Sequence, residues 1–337
     1  MLYLVGLAVS VVAIELLFGN WRSAYLPPLS AVVDRSYIYR QNLYAPFGDV
    51  VYERDKYGLR GVREPLPKIE LVTVGGSTTD QRYVGEGKTW QDVLRMRSGI
   101  AVANAGVDGM SSFGHLIAIT EWLHRLPDFS PAYYLHYIGA NDGSMSGEPT
   151  EYDRSGADRP WLRTIRRRSA IYRAIRKLWT SASAPREVNH GTVRVPPGGL
   201  PPDTIKVEID ARDIEDYIET AYKPNLRKLL ALHRNRGEKA IFVSQSAHPA
   251  IIAWRGSDTY VSAKFPELQH WALALRLMNT ATEAVCREDA ACRFIDLAGQ
   301  LRFDGDDFYD LVHTTPAGAR KIGAFLADQL AFIRHRP

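Results

Sequence analysis

Four short blocks of the chain hold residues that can do hydrolytic chemistry, and each follows a run that reads as a β-strand. In VTVGGSTTD, Val72 to Asp80, a β-branched run stops at two glycines and then presents Ser77, Thr78 and Thr79. NAGVDGMSS brings Asn104, Gly106 and Gly109, and GANDGS brings Asn141 and Asp142. Near the C-terminus, DGDDFYDLVHTTPAGARKIG places Asp310 three residues before His313. A serine hydroxyl is a poor nucleophile until a base takes its proton. Histidine is the base suited to neutral pH. An aspartate three residues earlier can accept from the second ring nitrogen and fix its tautomer. Each block alone also has a bland reading, with Ser77 as a helix N-cap and His313 as a surface histidine. All four, in this order and at strand ends where open parallel sheets bind ligands, favour a nucleophilic serine.

The elements that must position these residues follow an alternating pattern. Short β-rich runs, LVTVG at 71, IAVANAG at 100, AYYLHYIG at 132, KAIFVSQ at 239 and RFIDL at 293, alternate with helix-period segments. Those segments fall near 88–97, 112–125, 212–235, 267–287 and 316–333. Such alternation marks a parallel sheet covered by helices. Between the third and fourth strands lie about a hundred residues, far more than a crossover needs. This insert, at about 145–210, contains the basic stretch RPWLRTIRRRSAIYRAIRKLWT and the loop RVPPGGLPPD. Trp161, Ile165, Ile171, Ile175 and Leu178 fit one helix face. A solvated surface helix, a lid, a membrane-surface contact and an acidic-ligand contact are all open readings.

The first 18 residues are apolar except for Ser10 and Glu15. With no basic leader and no small-residue cleavage site, they read first as an uncleaved membrane anchor over 1–20, with a helix buried against the domain or a partner and a cleaved signal peptide as the other readings. An extended lead-in segment, 21–67, follows. Cys286 and Cys292 are the only cysteines and flank a short polar stretch. They either close a small loop as a disulfide or remain two free thiols. Anchor and cysteine pair together favour display outside the cytoplasm. The net charge of +4 is too weak to imply nucleic acid. No His/Cys/Asp spacing implies a metal, and no cofactor motif is present. His136, inside a strand pattern, reads as a core residue. His248 and Trp254, after the fourth strand, are candidates for a pocket rim.

In the order GGSTT, NAGVDG, GAND and DLVH, the four blocks resemble the SGNH (GDSL-type) hydrolase family over roughly residues 68 to 333, outside most of the insert. The resemblance implies a hydrolase domain over 68–337. It implies a three-layer α/β/α sandwich with five parallel strands in the order 2-1-3-4-5. It further implies Ser77 as nucleophile, His313 as base, Asp310 as the group orienting it, and Gly109 and Asn141 joining Ser77 in an oxyanion hole. Asn104 and Asp142 are expected to hold loops by hydrogen bonds. The first block departs from the family's Gly-Asp-Ser-Leu, with Gly76 replacing an acid that is not a triad member. The expected activity is removal of O-acyl groups, acetyl first, from a cell-envelope or exported glycan. An O-acyltransferase on a polysaccharide acceptor, a lipase or phospholipase acting on a lipid ester, and a non-catalytic glycan-binding module are the alternatives.

Overall fold

Runs of β-branched and aromatic residues without polar alternation are stable as strands only when both faces are covered, and the chain builds its central sheet from them. The computed structural model describes residues 2–21, 33–61, 63–150, 153, 165, 168–182, 184–188 and 204–335. Helix α1 (Leu2–Phe18) precedes an antiparallel hairpin of β1 (Arg35–Gln41) and β2 (Gly48–Arg54). Then come β3 (Leu71–Gly75), α2 (Ser77–Asp80), α3 (Trp90–Ser98), β4 (Val102–Asn104), α4 (Ser112–Ile117) and β5 (Tyr133–Tyr137). The insert supplies α5 (Ala170–Ala182), β6 (Arg186–Glu187) and β7 (Thr204–Lys206). After it come α6 (Arg212–Tyr217), α7 (Lys223–Asn235), β8 (Lys239–Val243), β9 (Ile252–Arg255) and β10 (Asp258–Ser262). The chain ends with α8 (Gln269–Arg287), β11 (Cys292–Ile295), α9 (Leu297–Gln300) and α10 (Pro316–Gln329).

Five of these strands form the parallel sheet, in the spatial order β11-β8-β5-β3-β4. Counted in chain order this is 2-1-3-4-5, as expected. Alternate residues feed two cores. Val72, Val74, Tyr134 and Phe242 pack with Trp122, Leu226 and Met278 on one face. Leu71, Leu135 and Ile241 pack with Trp90, Leu94, Ile322 and Leu326 on the other. The chain reverses direction across the sheet between β3 and β5, so the loops after them, carrying Ser77 and Asn141, flank one crevice.

Two regions differ from the expected outline. The lead-in segment is a hairpin rather than an extended strand, and β6 of the insert pairs with its β1. A second small sheet, β7-β10-β9, was not anticipated. Its hairpin lies in IAWRGSDTYVS, where the Gly-Ser turn between alternating residues is a readable signal. Trp161 and the loop 194–203 lie outside the described residues. Cys286 and Cys292 are joined to each other, linking the end of α8 to β11. Among the described residues no helix is long and apolar enough to cross a membrane.

The hairpin does more than lead in. Arg54, fully buried at the end of β2, donates to Asp80 Oδ1 at 2.6 Å, the Tyr52 hydroxyl at 2.6 Å and the Gly58 carbonyl at 2.6 Å, and also to the Gly106 carbonyl. Arg60 donates to the carbonyls of Asp80, Gln81 and Val84 at 2.5–2.7 Å. Both arginines therefore grip α2, the turn that opens with Ser77. Removing one partner of such a buried pair strands the other charge, which costs about 3–5 kcal/mol. Arg54→Met should lose that much in urea unfolding. Arg227→Ala, which breaks a pair with Glu288 that is half exposed on both sides, should lose no more than about 1 kcal/mol.

Candidate active site

Ser77 opens α2 directly after β3 and the glycine pair. As the first helical residue it has an N–H that no helix carbonyl reaches. Its Oγ lies 2.6 Å from His313 Nε2. His313 Nδ1 lies 2.6 Å from Asp310 Oδ2. The other oxygen of Asp310 accepts the backbone N–H groups of Val312 at 2.9 Å and His313 at 2.7 Å. An ionised carboxylate only accepts, so Nδ1 carries the proton and Nε2 presents its lone pair to the serine hydroxyl. The loop is closed by the Tyr309 N–H to the His313 carbonyl, and the Tyr309 ring lies parallel to the imidazole with centroids 5.6 Å apart. Gln81 ties the loop to the nucleophile turn, donating to Thr314 Oγ1 at 3.0 Å while accepting from Trp90 N at 2.8 Å.

The other expected residues fall into two groups. Gly109 and Asn141 line the same cleft as Ser77 and His313. Gly109 takes a positive φ of 74°, which suits glycine. The Asn141 amide is held by the Met110 carbonyl at 3.0 Å and lies so close to Gly76 that a Cβ there would collide with it. The departure from Gly-Asp-Ser-Leu thus coincides with the space the Asn141 amide occupies. Asn104 and Asp142 are buried linkers outside the cleft. Asn104 donates to the Thr79 carbonyl at 2.7 Å and accepts from Gly106 N at 2.8 Å. Asp142 accepts from Ser112 N, Ser112 Oγ and the Tyr217 hydroxyl.

His248 and Trp254 are not on the rim. His248 is 1% exposed and packs against Phe308 behind the Asp310–His313 loop, where its N–H donates to the Leu311 carbonyl. Trp254 sits on β9 beside Val261 and Leu275, with Thr259 as its strand partner. Neither lines the cleft with Ser77 and His313: His248 is enclosed behind the Asp310–His313 loop, and Trp254 is taken up by the apolar cluster that also holds Leu311 and Val312.

The cleft, about 650 Å³, contains residues that the sequence did not single out. Arg82, Tyr83, Asp108, Ser144, Thr150 and Tyr309 complete its walls. Arg82 pairs with Asp108 at 2.5 Å. Burial and the nearby Asp80 charge push Asp108 upward, and water reaching its 31% exposed side chain limits that rise. The only local signals were the adjacency of Asp108 to Gly109 and of Arg82 to the nucleophile turn. A larger cleft of about 1390 Å³, between the hairpin turn and the start of α10, meets the opposite side of Tyr309 and contains neither Ser77 nor His313.

Among the described residues, His124, His233 and Glu238 are close enough to share an ion, a grouping invisible in sequence because α7 and a distant turn bring it together. The Glu238 carboxylate already takes His233 Nδ1 at 2.8 Å, His124 Nε2 at 3.0 Å and Arg236 Nε at 2.9 Å. Burial works against the charge, but these three donors hold Glu238 down at about 2. Beyond it His233, His136 and His115 form a buried chain at 2.9 Å spacings.

Burial acts to raise Asp80, but Arg54, Arg60 and Arg82 outweigh it and hold the carboxyl below the ordinary carboxylate range. A carboxylate held low in the fold stabilises it above its unfolded pKa of about 4, and this is lost as pH falls through the folded value. Asp80→Asn should therefore be less stable than the parent near neutrality, with the difference closing below about pH 4. Denaturant midpoints measured from pH 3 to 7 read this directly.

Residues 73–321 match the model of the GDSL-like Lipase/Acylhydrolase family. No protein with a curated description matches the chain. Among solved structures, a GDSL-like lipase from Bacteroides thetaiotaomicron VPI-5482 is similar at 14% identity, covering 80% of this chain and 90% of that one with a TM-score of 0.43. A member of the lipolytic protein G-D-S-L family from Veillonella parvula DSM 2008 shares 14% identity over 79% of this chain and 98% of its own, with a TM-score of 0.44. The matched span runs from β3 into α10 and encloses every residue of the Ser77–His313 cleft, and the chain belongs to the GDSL-like lipase/acylhydrolase family, the SGNH hydrolases, as an ester hydrolase.

Proposed function

We propose that this chain is a serine esterase that removes short O-acyl groups, acetyl first, from a cell-envelope or exported glycan, and that it works at a membrane outside the cytoplasm. The observation that carries the reading is the Ser77–His313–Asp310 line opening into a cleft that, among the described residues, has no aliphatic side chain in its walls. His313 takes the serine proton as Oγ attacks the acyl carbon. The backbone N–H groups of Ser77 and Gly109 and the Asn141 amide receive the developing oxyanion. The alcohol leaves with the proton held at Nε2, and water, activated by the same nitrogen, releases the acyl group. Asp310 keeps the imidazole in the tautomer that both steps need.

Substrate class follows from the walls. A long acyl chain gains about 0.8 kcal/mol for each methylene it buries, and among the described residues no Val, Leu, Ile or Met lines this cleft to receive one. Tyr83 and Tyr309 supply faces for a sugar ring, while Arg82, Asp108, Ser144 and Thr150 supply hydrogen-bonding groups. Membrane attachment is supported by α1, whose described side chains are exposed and apolar apart from Ser10 and the part-buried Glu15. At 17 residues, about 26 Å, it falls short of the roughly 30 Å hydrocarbon thickness, so the attachment proposed does not require it to cross the bilayer. The cysteine pair suits an oxidising compartment.

A fragment beginning after α1, assayed on chromogenic esters from acetyl to decanoyl, tests the reaction. Ser77→Ala and His313→Ala should fall to background, and Asp310→Asn should lose about 10⁴ in kcat. Asn141→Ala should lose about 10²–10³ in kcat. Acetyl esters should exceed decanoyl esters by at least about tenfold in kcat/KM, given that no aliphatic side chain lines the cleft among the described residues. A preference for decanoyl would overturn the glycan reading, and turnover surviving in Ser77→Ala would overturn the mechanism.

A further inference from the structure

Three metal-ligand side chains meet at the end of the sheet remote from Ser77, and the ester chemistry uses none of them. His124 lies in the turn after α4, His233 in the last turn of α7, and Glu238 immediately before β8. β8 runs parallel to β5, and β5 to β3, so the start of β8 lies at the opposite end of the sheet from the turn that follows β3. The side chains of His124, Glu238 and His233 are 11%, 6% and 1% exposed, so the group is open to solvent only on the His124 side.

Both imidazoles aim a nitrogen at one carboxylate oxygen. His124 Nε2 lies 3.0 Å and His233 Nδ1 2.8 Å from Glu238 Oε2. The two rings stand at 85° to each other, and the three atoms fall within 4.8 Å of one another. Ligands held about 2.1 Å from a tetrahedral zinc ion are about 3.4 Å apart, so shifts below about 1 Å admit an ion between them.

The atoms behind these three are those a metal site requires. A ligating carboxylate is itself hydrogen-bonded, and a ligating histidine uses its other ring nitrogen on a partner. Glu238 Oε1 accepts from Arg236 Nε at 2.9 Å, which leaves Oε2 for the ion. His233 Nε2 lies 2.9 Å from His136 Nε2, and His136 Nδ1 lies 2.9 Å from His115 Nδ1. This chain of neutral imidazoles can run in either direction. When His233 Nδ1–H donates to the carboxylate, His136 donates from Nε2 and His115 from Nδ1. When His233 Nδ1 ligates an ion, its proton sits on Nε2, and His136 and His115 each carry theirs on the opposite ring nitrogen. Each ring keeps one proton, so no charge is stranded. The far atom, His115 Nε2, is buried with no hydrogen-bond partner among the described residues, so the direction is set at the Glu238 end.

We propose that His124 Nε2, His233 Nδ1 and Glu238 Oε2 bind one divalent zinc-type ion, which ties the turn after α4 to α7 and β8 and keeps a fourth position for water. Two imidazoles with one carboxylate suit zinc. Calcium and magnesium call for a shell of oxygens, and copper(I) for sulfur donors.

The test titrates zinc and cobalt(II) into the full chain in mild detergent after treatment with a chelator. One equivalent should bind, and cobalt should show the strong visible absorption of a four-coordinate site. Glu238→Gln and His124→Gln each remove a ligand and should weaken binding by more than about a hundredfold, beyond the loss expected for a supporting partner. His313→Ala removes the competing histidine–carboxylate pair of the ester site and should bind as the parent does. Cooperative urea unfolding certifies the fold of each variant. Where a ligand variant does not fold, the parent alone gives the answer, because bound zinc should switch the tautomers of His115 and His136 in nitrogen NMR. A parent that binds no ion would overturn the proposal, as would binding that survives in both ligand variants. Binding lost only in His313→Ala would move the ion to the ester site, and His115 and His136 signals unmoved by bound zinc would place it elsewhere; either overturns the proposal.

Discussion

The buried ion pair between Arg54 and Asp80 is the constraint on which the active geometry rests. α2 is only four residues long, too short to hold a shape by its own hydrogen bonds. Its last residue is an aspartate with a 1% exposed side chain, a costly placement unless a cation meets it. Arg54 reaches it from the hairpin, and Arg60 takes the carbonyls that the end of the turn leaves open. The nucleophile is thus positioned from below by a segment outside the parallel sheet. The lead-in hairpin is part of the site's support, although it contributes no residue that touches substrate in the proposed mechanism.

The base is positioned from the opposite side by a different device. The loop from Asp310 to His313 is too short to leave the carboxylate free, and it accepts two backbone N–H groups before it reaches the imidazole. Tyr309 covers one ring face and Gln81 ties the neighbouring threonine back to the nucleophile turn. Two rigid supports converge on one 2.6 Å contact. That is the condition for a site whose rate depends on preorganised groups rather than on their rearrangement. Under the proposed function the walls would add the selectivity, since the described lining combines tyrosines, hydroxyls and an Arg82–Asp108 pair.

A second charged contact joins the N-terminal helix to the insert helix, beside the same hairpin. Glu15 reads in sequence as a flaw in an apolar helix. In the structure it is the residue that fastens α5 to α1.

The sequence by itself determined the sheet and the residues on which the proposed mechanism rests. Short apolar runs rich in β-branched and aromatic residues, alternating with longer helix-period segments, separate buried strands from helices by length and composition, so the five strands and the loops after them were readable. With them came Ser77, Gly109, Asn141, Asp310 and His313, all of which share the cleft or the line leading into it. It also showed Cys286 and Cys292 near enough to pair, but not whether they did. Only the tertiary structure decided what surrounds them. Arg54 and Arg60 carry no motif, and their value lies in reaching a turn 20 to 26 residues away. His248 and Trp254 follow a strand as the reacting residues do, yet both are taken up in packing. The wall residues and the His124–His233–Glu238 group are joined across long separations by helix packing. Local pattern encodes which backbone state a segment prefers. Which side chains then meet depends on the closure of loops whose lengths carry little information about direction, and that is settled only when the cores on both faces of the sheet are filled.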